Sequence, residues 1–190
     1  MPRSGEDARR RLRDAALELA LERGYDATTA AEIAARAGVT ERTFFRHFRD
    51  KREALFDGEE AFRDALVEGV VAAPEDLEPM DALFRSFCSV EQILLDNRSF
   101  SAPRQAVIAR TPALQERVLM KTAGLVEALA GALRRRGVDD AVAAFAAQLG
   151  MAAFGYAANT WFEDPAAGLE THLIRAFDLL HSLSATLRAR

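Results

Sequence analysis

Six side chains in one short run, Glu41, Arg42, Thr43, Phe45, Arg46 and His47, carry the chemistry of this chain. A guanidinium matches the O6/N7 edge of guanine, and a threonine meets an adenine edge or a thymine methyl. Arginine and histidine also donate to phosphate. On one helix face such a set suits the major groove of DNA. Arg42 and Thr43 are the candidates for base contacts. Thr28, Thr29, Arg46, His47 and Lys51 are the candidates for phosphate contacts, with Thr40 and Glu41 at the helix start. Without DNA the same residues would be an ordinary solvated charged face. For Thr29 and Thr40 helix capping alone, worth about 1 kcal/mol each, is a sufficient role.

The segment from Thr28 to Lys51 reads TTAAEIAARAGVTERTFFRHFRDK, two short helices around a tight turn. Ile33, Ala34, Ala37, Val39 and Phe44 stand where a helix-turn-helix is apolar, and Ala34 is small where its helices approach. Gly38 supplies the positive φ of the turn. Thr29 with Glu32 makes a capping box for the first helix, and Thr40 caps the second. Asp50 with Glu53 has the same form and opens the next helix at Lys51.

The net charge of −4 is unevenly spread. Residues 1–52 hold 12 Lys/Arg against 9 Asp/Glu, and residues 53–190 hold 13 against 20. A mildly basic head on an acidic body fits a protein that touches DNA at one end. Arginine outnumbers lysine 23 to 2. The single cysteine, Cys88, excludes an internal disulfide and fits a reducing compartment. The first residues, MPRSGEDARRRLRD, lack the apolar stretch of a signal peptide, so a cytoplasmic location is expected. Ala141–Phe162 carries no charge and is long enough to span a bilayer, but it is mostly Ala and Gly with Gln148, Asn159 and Thr160 inside. A buried helix is the expectation, and a membrane-tethered regulator its rival.

No segment alternates apolar and polar residues as a strand does, so the fold class is all-α. Helices are expected over Glu6–Arg23, from Ala30, over Glu41–His47 and over Lys51–Ala72. Further helices are expected over Pro79–Asn97, from Pro103 to Arg110, over Pro112–Arg136, from Asp139 or Asp140 to Glu163, and over Gly168–Leu187. That makes about nine in total. The expected division is a helix-turn-helix head over residues 6–66, its motif at about 29–48, and a larger helical ligand-binding and dimerisation domain over 67–190.

With the capped helices, the turn Ala37-Gly38-Val39-Thr40, and RTFFRHF followed by DKREAL, the first ~60 residues resemble the head of TetR-type transcriptional regulators. The rest is similar only in length, helix count and two apolar final helices. The resemblance implies a dimeric DNA-binding regulator, a repressor released from a palindromic operator by a small, largely hydrophobic effector. It also implies a backbone contact for Lys51. Members of that family often have tyrosines where Phe45 and His47 stand. Phe45 has no hydroxyl for a phosphate, leaving apolar contact with a thymine methyl or a sugar. An effector-independent architectural DNA-binding protein is the alternative.

The charge-free helix is apolar all round and must be covered on every side. Its small-residue stripe, Ala146, Gly150, Ala153 and Ala157, is expected to meet a second subunit together with Phe177 and Leu180 of the last helix, as a four-helix bundle. Candidate pocket walls are Phe84, Phe87, Cys88, Glu91, Met120, Gln148, Met151 and Phe154, each of which core packing also explains. His47, His172 and His181 are too scattered for a metal pair. No phosphate loop, G-x-S-x-G or H-E-x-x-H occurs, so neither an enzyme nor a cofactor or metal is expected. The expected partners are duplex DNA, an effector and a second copy of the chain.

Overall fold

The computed structural model describes residues 3–188, with side chains over 5–185. Among these residues there are eleven α-helices, one 3-10 turn at Pro165–Ala167, and no strand. The helices are α1 (Arg3–Arg23), α2 (Ala30–Arg36), α3 (Glu41–His47), α4 (Lys51–Leu55), α5 (Glu59–Val71) and α6 (Pro79–Ser89). They continue as α7 (Glu91–Asp96), α8 (Arg98–Ala109), α9 (Pro112–Arg135), α10 (Asp140–Glu163) and α11 (Gly168–Arg188).

Two of the expected long helices are each broken in two. The helix that begins at Lys51 stops at Leu55, and Gly58, at φ +87°, keeps it from running on into the next, because a left-handed residue cannot continue a right-handed helix. The second break falls at Val90, whose φ of −93° and ψ of 4° leave the helical region. There the Ser89 hydroxyl donates to the Ser86 carbonyl oxygen at 2.7 Å, competing with the backbone ladder. Conversely α8 starts at Arg98, five residues before the proline expected to open it, and carries Pro103 inside.

The chain forms two compact units. The first comprises the segment up to Glu60 together with Asn97–Val118; the second comprises Ala61–Asp96 together with the segment from Leu119 onward. The first unit therefore takes in a stretch that the sequence reading assigned to the other domain. Its core joins Leu12, Ala16 and Leu19 of α1 to Ile33 and Ala34 of α2, Phe44 of α3 and Leu55 of α4, and adds Phe100, Val107 and Ile108 of α8 and Leu114. Burying each large side chain contributes about 1.5–3 kcal/mol, so α8 is a substantial share of what holds the head together.

The second unit is built on α10 and α11, which pack along their length, with α6 against both. Gly69 of α5 lies so close to α6 that a Cβ there would come within 2.8 Å of Ser86 Oγ. The buried Ser86 hydroxyl is satisfied by donating to the Leu66 carbonyl oxygen at 2.7 Å. Arg136 clamps the end of α5, donating to the Val70 and Ala73 carbonyls and, at 2.6 Å, to Pro74. The Glu91 carboxylate accepts the Leu169 N–H at 2.7 Å and so caps α11. By length and composition α10 could cross a membrane, but half of its apolar window is buried inside this unit.

Candidate nucleic-acid interface

α3 is aimed by its caps and anchored by one ring. Thr29 accepts the Glu32 N–H and Glu32 returns to the Thr29 N–H at 3.0 Å, so the capping box of α2 is complete. Gly38 takes φ +67° in the turn, where Arg11 donates to the Ala37 carbonyl oxygen at 3.0 Å. The Thr40 hydroxyl accepts the Thr43 N–H and opens α3. Phe44 is fully buried, packed edge-on to Phe45 at 5.3 Å, and fixes the rotation of the helix.

That rotation leaves Glu41, Arg42, Phe45 and Arg46 exposed, with Thr43 and His47 half-buried. Phe45 is 54% exposed, a large apolar surface at a position where burial was available to its neighbour. Arg42 and Arg46 take part in no ion pair among the described residues. Several other arginines of the head are held by carboxylates: Arg9 by Asp57, Arg23 by Glu32, Arg36 by Glu18 and Glu22, and Arg52 by Asp50. Two exposed guanidinium groups without an ion pair thus stand on α3, as contacts to phosphate and guanine edges require.

His47 closes α3. Its Nε2 is buried and finds no partner among the described residues. Burial, with Arg46 and Arg9 adding repulsion and Asp57 opposing them, holds its pKa below the usual histidine value.

Two of the expected phosphate contacts are corrected. Thr28 is only 3% exposed, and its hydroxyl donates to the Gly24 carbonyl oxygen at 3.0 Å, closing the turn after α1. Lys51 spends its ammonium on three carbonyl oxygens, those of Tyr25 (2.8 Å), Thr28 (2.9 Å) and Asp26 (3.3 Å). An ammonium has three donors, so Lys51 is a structural clamp rather than a free phosphate ligand. Neither role was visible in the sequence, because both depend on where the α1–α2 connection folds back.

The small-residue stripe expected at a subunit contact is corrected as well. Ala146, Gly150, Ala153 and Ala157 all face inward, and a Cβ at Gly150 would meet Leu83 Cδ1 at 2.9 Å and Phe87 Cε2 at 3.4 Å. Gly150 admits α6 of the same chain, and the four small residues are already covered within it. Phe177 packs against Phe84 at 5.2 Å and Phe87 at 6.4 Å, also within the chain, and Leu180 is half-buried. The free apolar face of α10 is a neighbouring one, about a quarter-turn round the helix, made by Val142, Phe145, Leu149, Ala152 and Tyr156 at alternating spacings of three and four. Phe145 is 62% and Tyr156 53% exposed, and Leu179 and Leu183 of α11 are similarly open.

Of the candidate pocket walls, Phe84, Phe87, Cys88, Met151 and Phe154 do converge in one core. Burial pushes the Cys88 thiol up to about 11, with Glu170 and Glu91 adding to the rise. Glu91 is committed to capping α11. Met120 and Gln148 are exposed and do not join the group. An open apolar groove does lie against α10, between Pro79 and Met80 on one side and Val142, Phe145 and Leu149 on the other. Among the described residues no three His, Cys, Asp or Glu side chains gather as a metal site would need.

These features are shared with known proteins. Residues 12–57 match the profile of bacterial regulatory proteins of the tetR family, and residues 77–184 match that of the MftR C-terminal domain. The chain belongs to the tetR family, whose members are DNA-binding transcriptional regulators rather than enzymes. It is 30% identical over 131 residues to the HTH-type transcriptional regulator TcmR of Streptomyces glaucescens, which covers 65% of this chain and 58% of that protein. The chain thus spans little more than half of that relative's length. Among solved structures, the SmeT–triclosan complex, SmeT being the repressor of a Stenotrophomonas maltophilia multidrug efflux pump, superposes with a TM-score of 0.64 at 22% identity. That match covers 90% of this chain and 88% of the other. The Thermus thermophilus repressor FadR in complex with lauroyl-CoA superposes with a TM-score of 0.56 at 24% identity, over 90% and 92% of the two chains. At these identities the structural likeness concerns the fold.

Proposed function

We propose that this regulator is a cytoplasmic homodimeric repressor that binds a palindromic operator through paired α3 helices and is released by a small, largely hydrophobic effector. The observation that carries the DNA-reading part is the unpaired state of Arg42 and Arg46 beside exposed Phe45, on a helix whose rotation Phe44 fixes. Arg42 and Thr43 read bases, while Thr29, Thr40, Glu41, Arg46 and His47 border the phosphates and position the helix. Two heads related by a two-fold axis require half-sites about one helical turn, or a small multiple of it, apart.

Dimerisation is supported by the outward face of α10, whose large apolar side chains stay uncovered in a single subunit. A four-helix arrangement of α10 and α11 from two copies would cover Phe145, Tyr156, Leu179 and Leu183. Effector response is supported by the aromatic core around Phe87 and by the chain's path, which passes between the two units three times, after Glu60, Asp96 and Val118. A ligand that favours one arrangement of the second unit would bias the spacing of the heads. A difference in affinity worth ~1–3 kcal/mol is sufficient.

The test is selection of operators from a random duplex pool with the full-length protein, followed by titration against salt. A two-fold symmetric consensus with a steep salt dependence is expected. A consensus without symmetry, or binding indifferent to salt, would overturn the reading. An architectural protein would instead yield no consensus.

A further inference from the structure

Trp161 is fully buried in the core of the second unit, yet its indole N–H finds no acceptor among the described residues. Leaving such a donor unmet is costly, and native proteins keep few of them. The polar groups nearest to it along the chain are engaged with one another. The Thr160 hydroxyl donates to the Ala157 carbonyl oxygen at 3.0 Å and lies 3.0 Å from His172 Nδ1, while His172 Nε2 lies 2.8 Å from the Asp164 carbonyl oxygen.

Trp161 stands on the same face of α10 as Phe154, seven residues and about two turns away. Phe154 packs against Phe87 at 4.8 Å and Phe62 at 6.0 Å, within the same core. Among the described residues no Lys, Arg, Asp or Glu is fully buried. The unit's buried polar side chains, Ser86 and His172, already have partners. An anion would find no buried cation there, would meet the carboxylates of Glu91 and Glu170 near Cys88, and would lose its hydration. Glu91 is already committed to the Leu169 N–H.

Two segments packed on this core bury little of themselves. α7 buries no side chain, and neither does α9 between Arg117 and Ala128. Ile93, Leu94, Leu125 and Val126 pack on the core only half-buried. An apolar molecule entering beside them would complete their burial.

We infer that the Trp161 indole N–H is the hydrogen-bond donor of the effector site, and that the effector is an uncharged, mainly apolar molecule carrying an acceptor oxygen such as a ketone. This rests on the effector-responsive reading above. A hydrocarbon of the same shape would bury the same area and leave the N–H unmet, so the donor confers selectivity of about five- to tenfold.

The test uses full-length protein and three ketone–hydrocarbon pairs of matched shape: benzophenone with diphenylmethane, acetophenone with ethylbenzene, and 2-undecanone with undecane. Affinities are measured by calorimetry and checked by thermal shift, in the native protein and in Trp161→Phe. In at least one pair the ketone is expected to bind about five- to tenfold tighter, and Trp161→Phe to erase that preference while keeping hydrocarbon binding. As this is the chain's one tryptophan, its emission reports independently of the variant: 2-undecanone should shift it and undecane should not. Equal binding within every pair, or a preference that survives Trp161→Phe, overturns the donor assignment and leaves the effector site standing. Binding of none of the six compounds overturns both.

Discussion

The Lys51 ammonium lies 4.3 Å from the centre of the Tyr25 ring and donates to the carbonyl oxygen of the same residue at 2.8 Å. One side chain thereby closes the α1–α2 connection from below and from the side. Burial, reinforced by Asp50, pushes the Tyr25 phenol up to about 12, so the ring stays neutral and the cation faces an uncharged aromatic surface. Lys51→Met keeps the stem and removes the ammonium. It is expected to lower stability by about 2 kcal/mol in urea unfolding, the scale of losing charge-assisted hydrogen bonds. The salt dependence of DNA binding should stay as in the native protein. A slope reduced by about one, with stability intact, would return Lys51 to the phosphate backbone.

Arg42 and Arg46 are both exposed and unpaired, but they are expected to fail differently. Arg42→Ala should flatten the operator preference, costing about 1–3 kcal/mol on the selected sequence and little on random duplex. Arg46→Ala should weaken both duplexes alike and reduce the salt slope by about one. Anisotropy titrations on the two duplexes at several salt concentrations separate these patterns. Equal behaviour of the two variants would refute the division of labour.

His47 makes head stability sensitive to mild acid. In the unfolded chain it takes up a proton around its ordinary value of 6.5, whereas burial holds the folded value lower. Below 6.5 the unfolded state therefore binds more protons, and stability falls as the pH falls. Glu22, Glu32 and Asp50, whose folded values are lowered, act only nearer their own ordinary range of 3.8–4.5. Urea unfolding at pH 7.5, 6.5 and 5.5 should show a loss of stability in the native protein that His47→Gln diminishes. Parallel curves for the two proteins would contradict the assignment.

The two faces of α10 should respond oppositely to substitution. Phe145→Glu on the open face is expected to give a folded monomer by sedimentation, with operator affinity reduced because only one head engages at a time. Gly150→Leu drives a side chain into Leu83 and Phe87, and overpacking of this kind costs typically 1–3 kcal/mol or more. It should lower the melting temperature. A stable Gly150→Leu monomer would restore the small-residue stripe as the subunit contact.

Local signals in the sequence were largely sufficient for the head. Thr29 with Glu32, Gly38 and Thr40 specify caps and a turn within a few residues of themselves, and α2 and α3 follow from them. What stayed hidden depends on distant partners. A helix apolar on all sides, such as α10, does not declare which face meets its own domain. Only the approach of Leu83 to Gly150 decides it. The sequence also made Lys51 a free cation, since nothing near it predicts that three carbonyl oxygens converge there. Gly58 was read through as helix because its neighbours, Lys51–Leu55 and Glu59–Val71, are both good helix formers. Trp161 is buried in the core like its apolar neighbours, and only the lack of an acceptor for its indole N–H sets it apart, which no sequence pattern displays.

The stretch Asn97–Val118 has a practical consequence for anyone cutting this regulator apart. A fragment ending at Glu60 would be a recognition motif stripped of Phe100, Val107, Ile108 and Leu114, with a greasy underside left bare. Such a piece should clump rather than read DNA. A chimera that transplants this specificity onto another sensor must therefore carry both discontinuous stretches, sewn in at two places.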